Sequence, residues 1–133
     1  MNKGTVVLID PQELTWHERV SLHHAAYTIL KMLLSGRFDV PLLVDSRTKT
    51  ILDGHHRCYA ARRLGLRKVP CFLVDYFDDQ SIAVYSRREG ILVNKQEVVR
   101  MALSEGVFPQ KTTRHEYKIP SFKPFALSEL WKE

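Results

Sequence analysis

The sequence has two cysteines, Cys58 and Cys71, among 133 residues. Their spacing matches no zinc motif, which excludes a metal module built on thiolates. One disulfide is the most they can form, and reduced thiols in a cytoplasmic protein are expected instead. Long hydrophobic runs are also lacking. Val6 to Ile9 and Cys71 to Val74 are typical of those present, against roughly 20 residues for a membrane span. No apolar run of signal-peptide length follows Lys3, so the expected location is the cytoplasm, with no membrane partner. There is no internal repeat, no Walker-type glycine loop and no protein-kinase signature. A nuclease-like cluster of carboxylates is missing too. Any nucleotide chemistry here needs another kind of phosphate site.

What is present suits a globular domain. Hydrophobic residues make up 44% and aromatics 10% of the chain, which argues against disorder. A chain of this length buries roughly two-thirds of its unfolded surface and can build one core without staples. Twenty Lys and Arg against 15 Asp and Glu leave a net charge of +5. That bias favours anionic partners such as nucleotides, phosphorylated metabolites or nucleic acid.

Thr5 to Ile9 reads as a strand that ends at Asp10-Pro11. A long helix is expected from about Trp16 to Ser35. Its apolar stripe is Leu22, Ala26, Ile29 and Leu33, widened by Ala25, Leu30 and Leu34. Gly36 stops it. Val40 to Val44 and Thr50 to Leu52 read as a β-hairpin leading into Asp53-Gly54. A second helix is expected from about His56 to Leu64, then a strand from Val69 to Tyr76. Ile82 to Tyr85 fits a strand or part of a helix. Asn94 to Glu105 is a helix, with Asn94 as its cap and Glu97 at the third position. The tail from Val107 to Glu133 has no sustained period and is expected to wrap the domain. This order predicts an α/β (α+β) fold, with a mixed sheet and flanking helices.

The chemistry concentrates in Ile51-Leu-Asp-Gly-His-His-Arg-Cys-Tyr-Ala-Ala61. A strand ends in Asp53-Gly54 and a helix opens at once with His55, His56 and Arg57. A helix start offers unpaired backbone N–H groups and about half a positive charge. Gly54 permits close backbone approach, and Arg57 adds a forked cation. Together they suit phosphates. The bland reading is a helix capped by Asp53 with a surface arginine, and residue types alone weigh the two equally. A carboxylate beside phosphates needs compensation. Asp53 would therefore meet Mg²⁺ or the proton of a substrate hydroxyl. His23 and His24 have no partner at metal spacing. Lys111-Thr-Thr-Arg-His115 is dense in donors and reads either as an anion grip or as a solvated tail.

The stretch from Val6 to Tyr76 resembles the ParB/sulfiredoxin-like fold, whose signature is a glycine, two variable or basic residues and an arginine at a helix start. A sulfiredoxin carries its cysteine directly after the glycine. His55 stands there, so that chemistry is not expected. Three segments resemble the free serine kinases, ADP- or ATP-dependent: Trp16-His-Glu-Arg19, Asp53-Gly-His-His-Arg57 and Phe108-Pro-Gln-Lys-Thr-Thr-Arg-His115. This resemblance covers residues 6 to about 115. It implies a kinase domain over 1–115, followed by a tail over 116–133.

The resemblance implies phosphoryl transfer from ADP or ATP to the hydroxyl of free L-serine, with Mg²⁺ bridging the donor's phosphates. Glu18 would be the base. Gly54, His55, His56 and Arg57 would hold phosphates, with His56 also stabilising the transferring group. Asp53 would serve catalysis and the metal. Lys111, Thr112, Thr113, Arg114 and His115 would bind the substrate. Read from residues alone, Thr15-x-x-Glu18 is a capping box that would explain Glu18 without catalysis. The rival function is a non-catalytic nucleotide-binding or DNA-associated ParB-like module. The basic cluster Arg62, Arg63, Arg67 and Lys68 would suit DNA, whereas no helix pair for groove reading follows it. Both a monomer and a homodimer are compatible with this reading.

Overall fold

A computed structural model of the chain describes residues 6–16, 19–78, 82–86, 94–103, 113–116 and 123–131. The chain opens with β1 (Val6–Ile9) and a 3-10 turn, Pro11–Glu13. Next come α1 (Leu22–Ser35), β2 (Arg37–Phe38), β3 (Leu42–Asp45) and β4 (Ile51–Asp53). Then follow α2 (His55–Arg63), β5 (Val69–Val74), β6 (Ala83–Ser86) and α3 (Lys95–Leu103). The chain finishes with β7 (Thr113–Glu116), β8 (Phe125–Ala126) and α4 (Leu127–Leu130).

The main sheet has the order β1-β5-β3-β4. β5 pairs antiparallel with β1 and parallel with β3, and β3 pairs antiparallel with β4. Successive residues of a strand point to opposite faces. Leu42, Val44, Ile51, Val69 and Cys71 therefore join one buried cluster, which also contains Met32 of α1 and Cys58 of α2. Leu43, Leu52, Phe72 and Val74 join a second cluster with Tyr76, Ile82, Val98 and Val99. A sheet covered on both faces needs strands that are apolar throughout, which accounts for the unbroken run through β3.

The turn between β3 and β4 is held by a buried carboxylate. Asp45 Oδ2 accepts from the Thr48 backbone N–H at 3.0 Å and from Thr48 Oγ1 at 2.7 Å, and Asp45 Oδ1 accepts from Tyr76 N–H at 3.1 Å. The loop after β5 is thereby fastened to the end of β3.

Two expectations about α1 need correction. The helix begins at Leu22, with Ser21 as N-cap, rather than at Trp16. Thr15 is instead bound into the sheet: its N–H donates to Lys49 O at 2.8 Å, and its carbonyl accepts from Ile51 N–H at 2.9 Å. The buried face also has a different phase. Ala25 and Met32 are buried and Ile29 is half-buried, whereas Leu22 is 71% and Leu33 53% exposed. The capping box over Thr15 and Glu18 has no helix start to cap, and Thr15 Oγ1 lies 3.2 Å from Thr50 Oγ1.

The tail does more than cover the surface. β8 pairs antiparallel with β2, and Leu127 and Leu130 of α4 are buried in the first cluster. Leu130 O accepts from Arg67 N–H at 2.9 Å, and Trp131 Nε1 donates to Leu64 O at 2.8 Å. The Asn94 cap is present, its Oδ1 accepting from Glu97 N–H at 2.8 Å. The expected end of this helix at Glu105 lies outside the described residues.

Both cysteines are free and fully buried. Burial pushes the Cys58 thiol from the ordinary value near 9 up to about 11, and Cys71 up to about 12. Neither thiol is expected to react with a disulfide reagent at pH 8 until the protein unfolds. The folded state holds protons that the unfolded thiols release above about pH 9. Their stabilising contribution is therefore complete below pH 9 and lost as pH rises toward 11 and 12. Denaturant melts at pH 8 and pH 10.5 should show a lower midpoint at the higher pH.

Candidate active site

The hairpin delivers Asp53-Gly54 to the first turn of α2. Gly54 is the N-cap residue, at φ 109° and ψ 24°, and among the described residues no side chain caps the helix. The expected Asp53 cap is therefore not formed. The Asp53 side chain is 67% exposed and lies 3.8 Å from Arg57 Nη2, one turn along. A Cβ on Gly54 would meet Leu42 Cδ2 at 2.5 Å and Arg57 Nη2 at 2.8 Å. The missing side chain is what lets the guanidinium lie across the loop.

Arg57 is drawn well into the protein. Burial lowers its pKa, and the charge of Asp53 opposes that shift. Its Nε is buried without a hydrogen-bond partner among the described residues. A buried guanidinium donor left unpaired needs an acceptor to explain it, and an anion is the natural one. Beside it opens a cavity of about 290 Å³, lined by Thr28, Lys31 and Ser35 of α1, by Arg37, and by Arg57 itself.

The chain before α1 is fastened to the same helix start from two sides. Trp16 packs along α2, its ring edge-on to His55 at 5.9 Å and to Tyr59 at 6.4 Å, with the Arg62 guanidinium 4.8 Å above it. These partners lie at positions i, i+4 and i+7 of α2, one helix face. Five residues later, Ser21 N–H donates to His56 Nε2 at 2.9 Å. Arg62 also donates to Pro11 O at 2.9 Å, so this member of the basic cluster is committed inside the protein.

The donor-rich segment returns as β7, which pairs antiparallel with β6 and packs against β4. His115 Nε2 lies 2.7 Å from Tyr76 Oη, and Lys95 Nζ donates to Tyr76 O at 2.6 Å. Burial raises the Tyr76 pKa far above the ordinary phenol value, so it stays protonated. Asp53 pairs with Leu43, whereas Tyr76 is bound to Asp45. Those two positions on β3 are two residues apart, about 7 Å along a strand. The structure gathers Asp53, Gly54, His55, His56 and Arg57 at one place, and the strand that carries His115, β7, packs against β4. Glu18, Lys111 and Thr112 lie outside the described residues, and Thr113 and Arg114 are described by their backbone alone.

The cavity-lining residues Thr28, Lys31 and Ser35 stand at i, i+3 and i+7 on one face of α1. An apolar stripe through Leu22, Ala26, Ile29 and Leu33 conceals that face in the sequence.

No family model matches the chain. Against curated proteins it is 31% identical over 105 residues to an ATP-dependent L-serine kinase of Desulfurococcus mucosus, covering 76% of this chain and 41% of that one. It is 29% identical over 109 residues to an ADP-dependent L-serine kinase of Thermococcus kodakarensis, covering 79% and 45%. It spans between 31% and 45% of the length of the curated relatives it matches. Among solved structures, a free serine kinase in complex with AMP superposes with a TM-score of 0.82 at 18% identity, over 97% of this chain and 95% of that one. The chain shares the α/β fold of that free serine kinase. No described helix is long and apolar enough to cross a membrane.

Proposed function

We propose that the protein is a nucleotide-dependent kinase that converts free L-serine to O-phospho-L-serine. The observation that carries this reading is the buried, unpaired Nε of Arg57 beside an uncapped helix start and a cavity. Such a site accepts an anion of phosphate geometry. Likeness in sequence to L-serine kinases supports serine as acceptor.

The donor's phosphates would rest on the first turn of α2, at Gly54, His55 and Arg57, with the nucleoside toward the cavity. L-Serine would lie between Asp53 and β7, where Thr113 and His115 would hold its carboxylate, helped by Lys111, Thr112 and Arg114. Glu18 stands two residues from Trp16 and three from Ser21, both fastened to the first turn of α2. It would take the hydroxyl proton as the serine oxygen bonds to phosphorus and the phosphorus–oxygen bond to the departing nucleotide breaks. Among the described residues no group of three or more His, Cys, Asp or Glu is placed to hold a metal ion. Mg²⁺ does not require one, since it commonly uses one or two carboxylates plus substrate phosphates. The exposed Asp53 carboxylate fits that requirement and would hold the ion, which when bound supplies neutralisation of phosphate charge.

Calorimetry with ADP and with ATP tests the donor half of this reading. Binding to at least one is expected. Arg57→Met should weaken it about 10- to 100-fold, the worth of one or two charge-assisted hydrogen bonds. Absence of heat with both nucleotides would contradict the site.

A further inference from the structure

A histidine at the second position of the phosphate helix would ordinarily be assigned to the phosphate. The hydrogen bond that His56 makes points elsewhere. Its Nε2 accepts the backbone N–H of Ser21 at 2.9 Å, so that nitrogen carries no proton and has no donor to offer an anion. The hydrogen bond assigns the ring the tautomer protonated on Nδ1. Ser21 is the N-cap residue of α1, and its own side chain makes no capping bond. His24, in the first turn of α1, stacks edge-on against His56 at 5.4 Å with the rings 89° apart. Two contacts from one imidazole thus join the first turns of α1 and α2.

We infer that His56 is a positioning residue, whose Nε2 fixes the start of α1 against the start of α2 and is thereby closed to the transferred phosphate. The inference rests on the kinase reading for its consequence alone. The segment that ends at Ser21 carries Glu18, the base of the proposed reaction. A shift of about 1 Å in such a group can cost on the order of 10²-fold in rate.

The test compares His56→Ala with His56→Gln, whose side-chain carbonyl can accept from Ser21 N–H in place of Nε2. His56→Ala should lower kcat at least tenfold while the Kd for ADP or ATP changes less than about threefold, and the Ser21 amide should lose hydrogen-exchange protection. His56→Gln should restore both kcat and the protection. A tenfold or larger rise in nucleotide Kd in both variants would instead make His56 a phosphate ligand and overturn the inference. The wild-type protein supplies a further readout that needs no variant to fold. Imidazole nitrogen-15 NMR should show His56 with Nε2 unprotonated, and a proton on Nε2 would overturn the inference. The amide and imidazole measurements need no turnover. If no phosphoserine forms but they come out as expected, the kinase reading fails while the positioning role stands.

Discussion

Replacing Glu18 by glutamine is expected to lower turnover by about 10²- to 10⁴-fold, the usual worth of a positioned general base. The side chain keeps its size and loses only its ability to take a proton. Nucleotide affinity should be unchanged, because the proposed phosphate contacts are made by Arg57 and the α2 turn rather than by Glu18. The melting temperature should be unchanged as well. A capping role would have tied Glu18 to helix stability, but α1 begins at Leu22 and is capped at Ser21, while Thr15 is bonded into the sheet. The measurement is a steady-state kcat for phosphoserine formation beside calorimetric Kd values for both nucleotides. Turnover near that of the wild type would remove Glu18 from the mechanism.

Gly54→Ala is expected to do damage of a different kind, striking stability and nucleotide binding together. At φ 109° a side chain strains the backbone, at a cost of about 1–3 kcal/mol. The new methyl would also stand 2.5 Å from Leu42 Cδ2 and 2.8 Å from Arg57 Nη2. Leu42 is fully buried in the first cluster and has little room to yield, so overpacking adds about 1–3 kcal/mol. The sum corresponds to a fall in melting temperature on the order of 10 °C. Pushing the guanidinium aside should also weaken nucleotide binding at least as much as Arg57→Met does. Calorimetric melting and nucleotide titration of the same sample check both effects. A variant that melts and binds like the wild type would show that close approach at Gly54 plays no part in the site.

The parts of this fold written in local chemistry were legible in the sequence. The hairpin into Asp53-Gly54 was marked by two apolar runs around a polar turn, and α3 by its Asn94 cap. The start of α1 was not legible, because the decisive contacts are distant ones. Helical spacing runs back to Trp16, yet Thr15 bonds to Lys49 and Ile51 across the sheet, and tertiary pairing overrides the local pattern. The strand pair of β2 and β8 has two residues on each side, too few to show a period. Within the site, Asp53, Gly54 and Arg57 could be picked out because a glycine and an arginine at a helix start carry their own chemical logic. The bond from Ser21 to His56 spans 35 residues, and no spacing rule reaches it. Nor does any rule foretell that His115 would meet Tyr76, 39 positions earlier.

The most direct test of the central claim is phosphorus NMR of the purified protein with Mg²⁺ and L-serine, run in parallel with ADP and with ATP. A new phosphoserine resonance is expected with at least one donor, growing as the donor's terminal phosphate signal declines. Nucleotide binding without phosphoserine from either donor would contradict the claim and leave a nucleotide-binding module that shares the kinase fold.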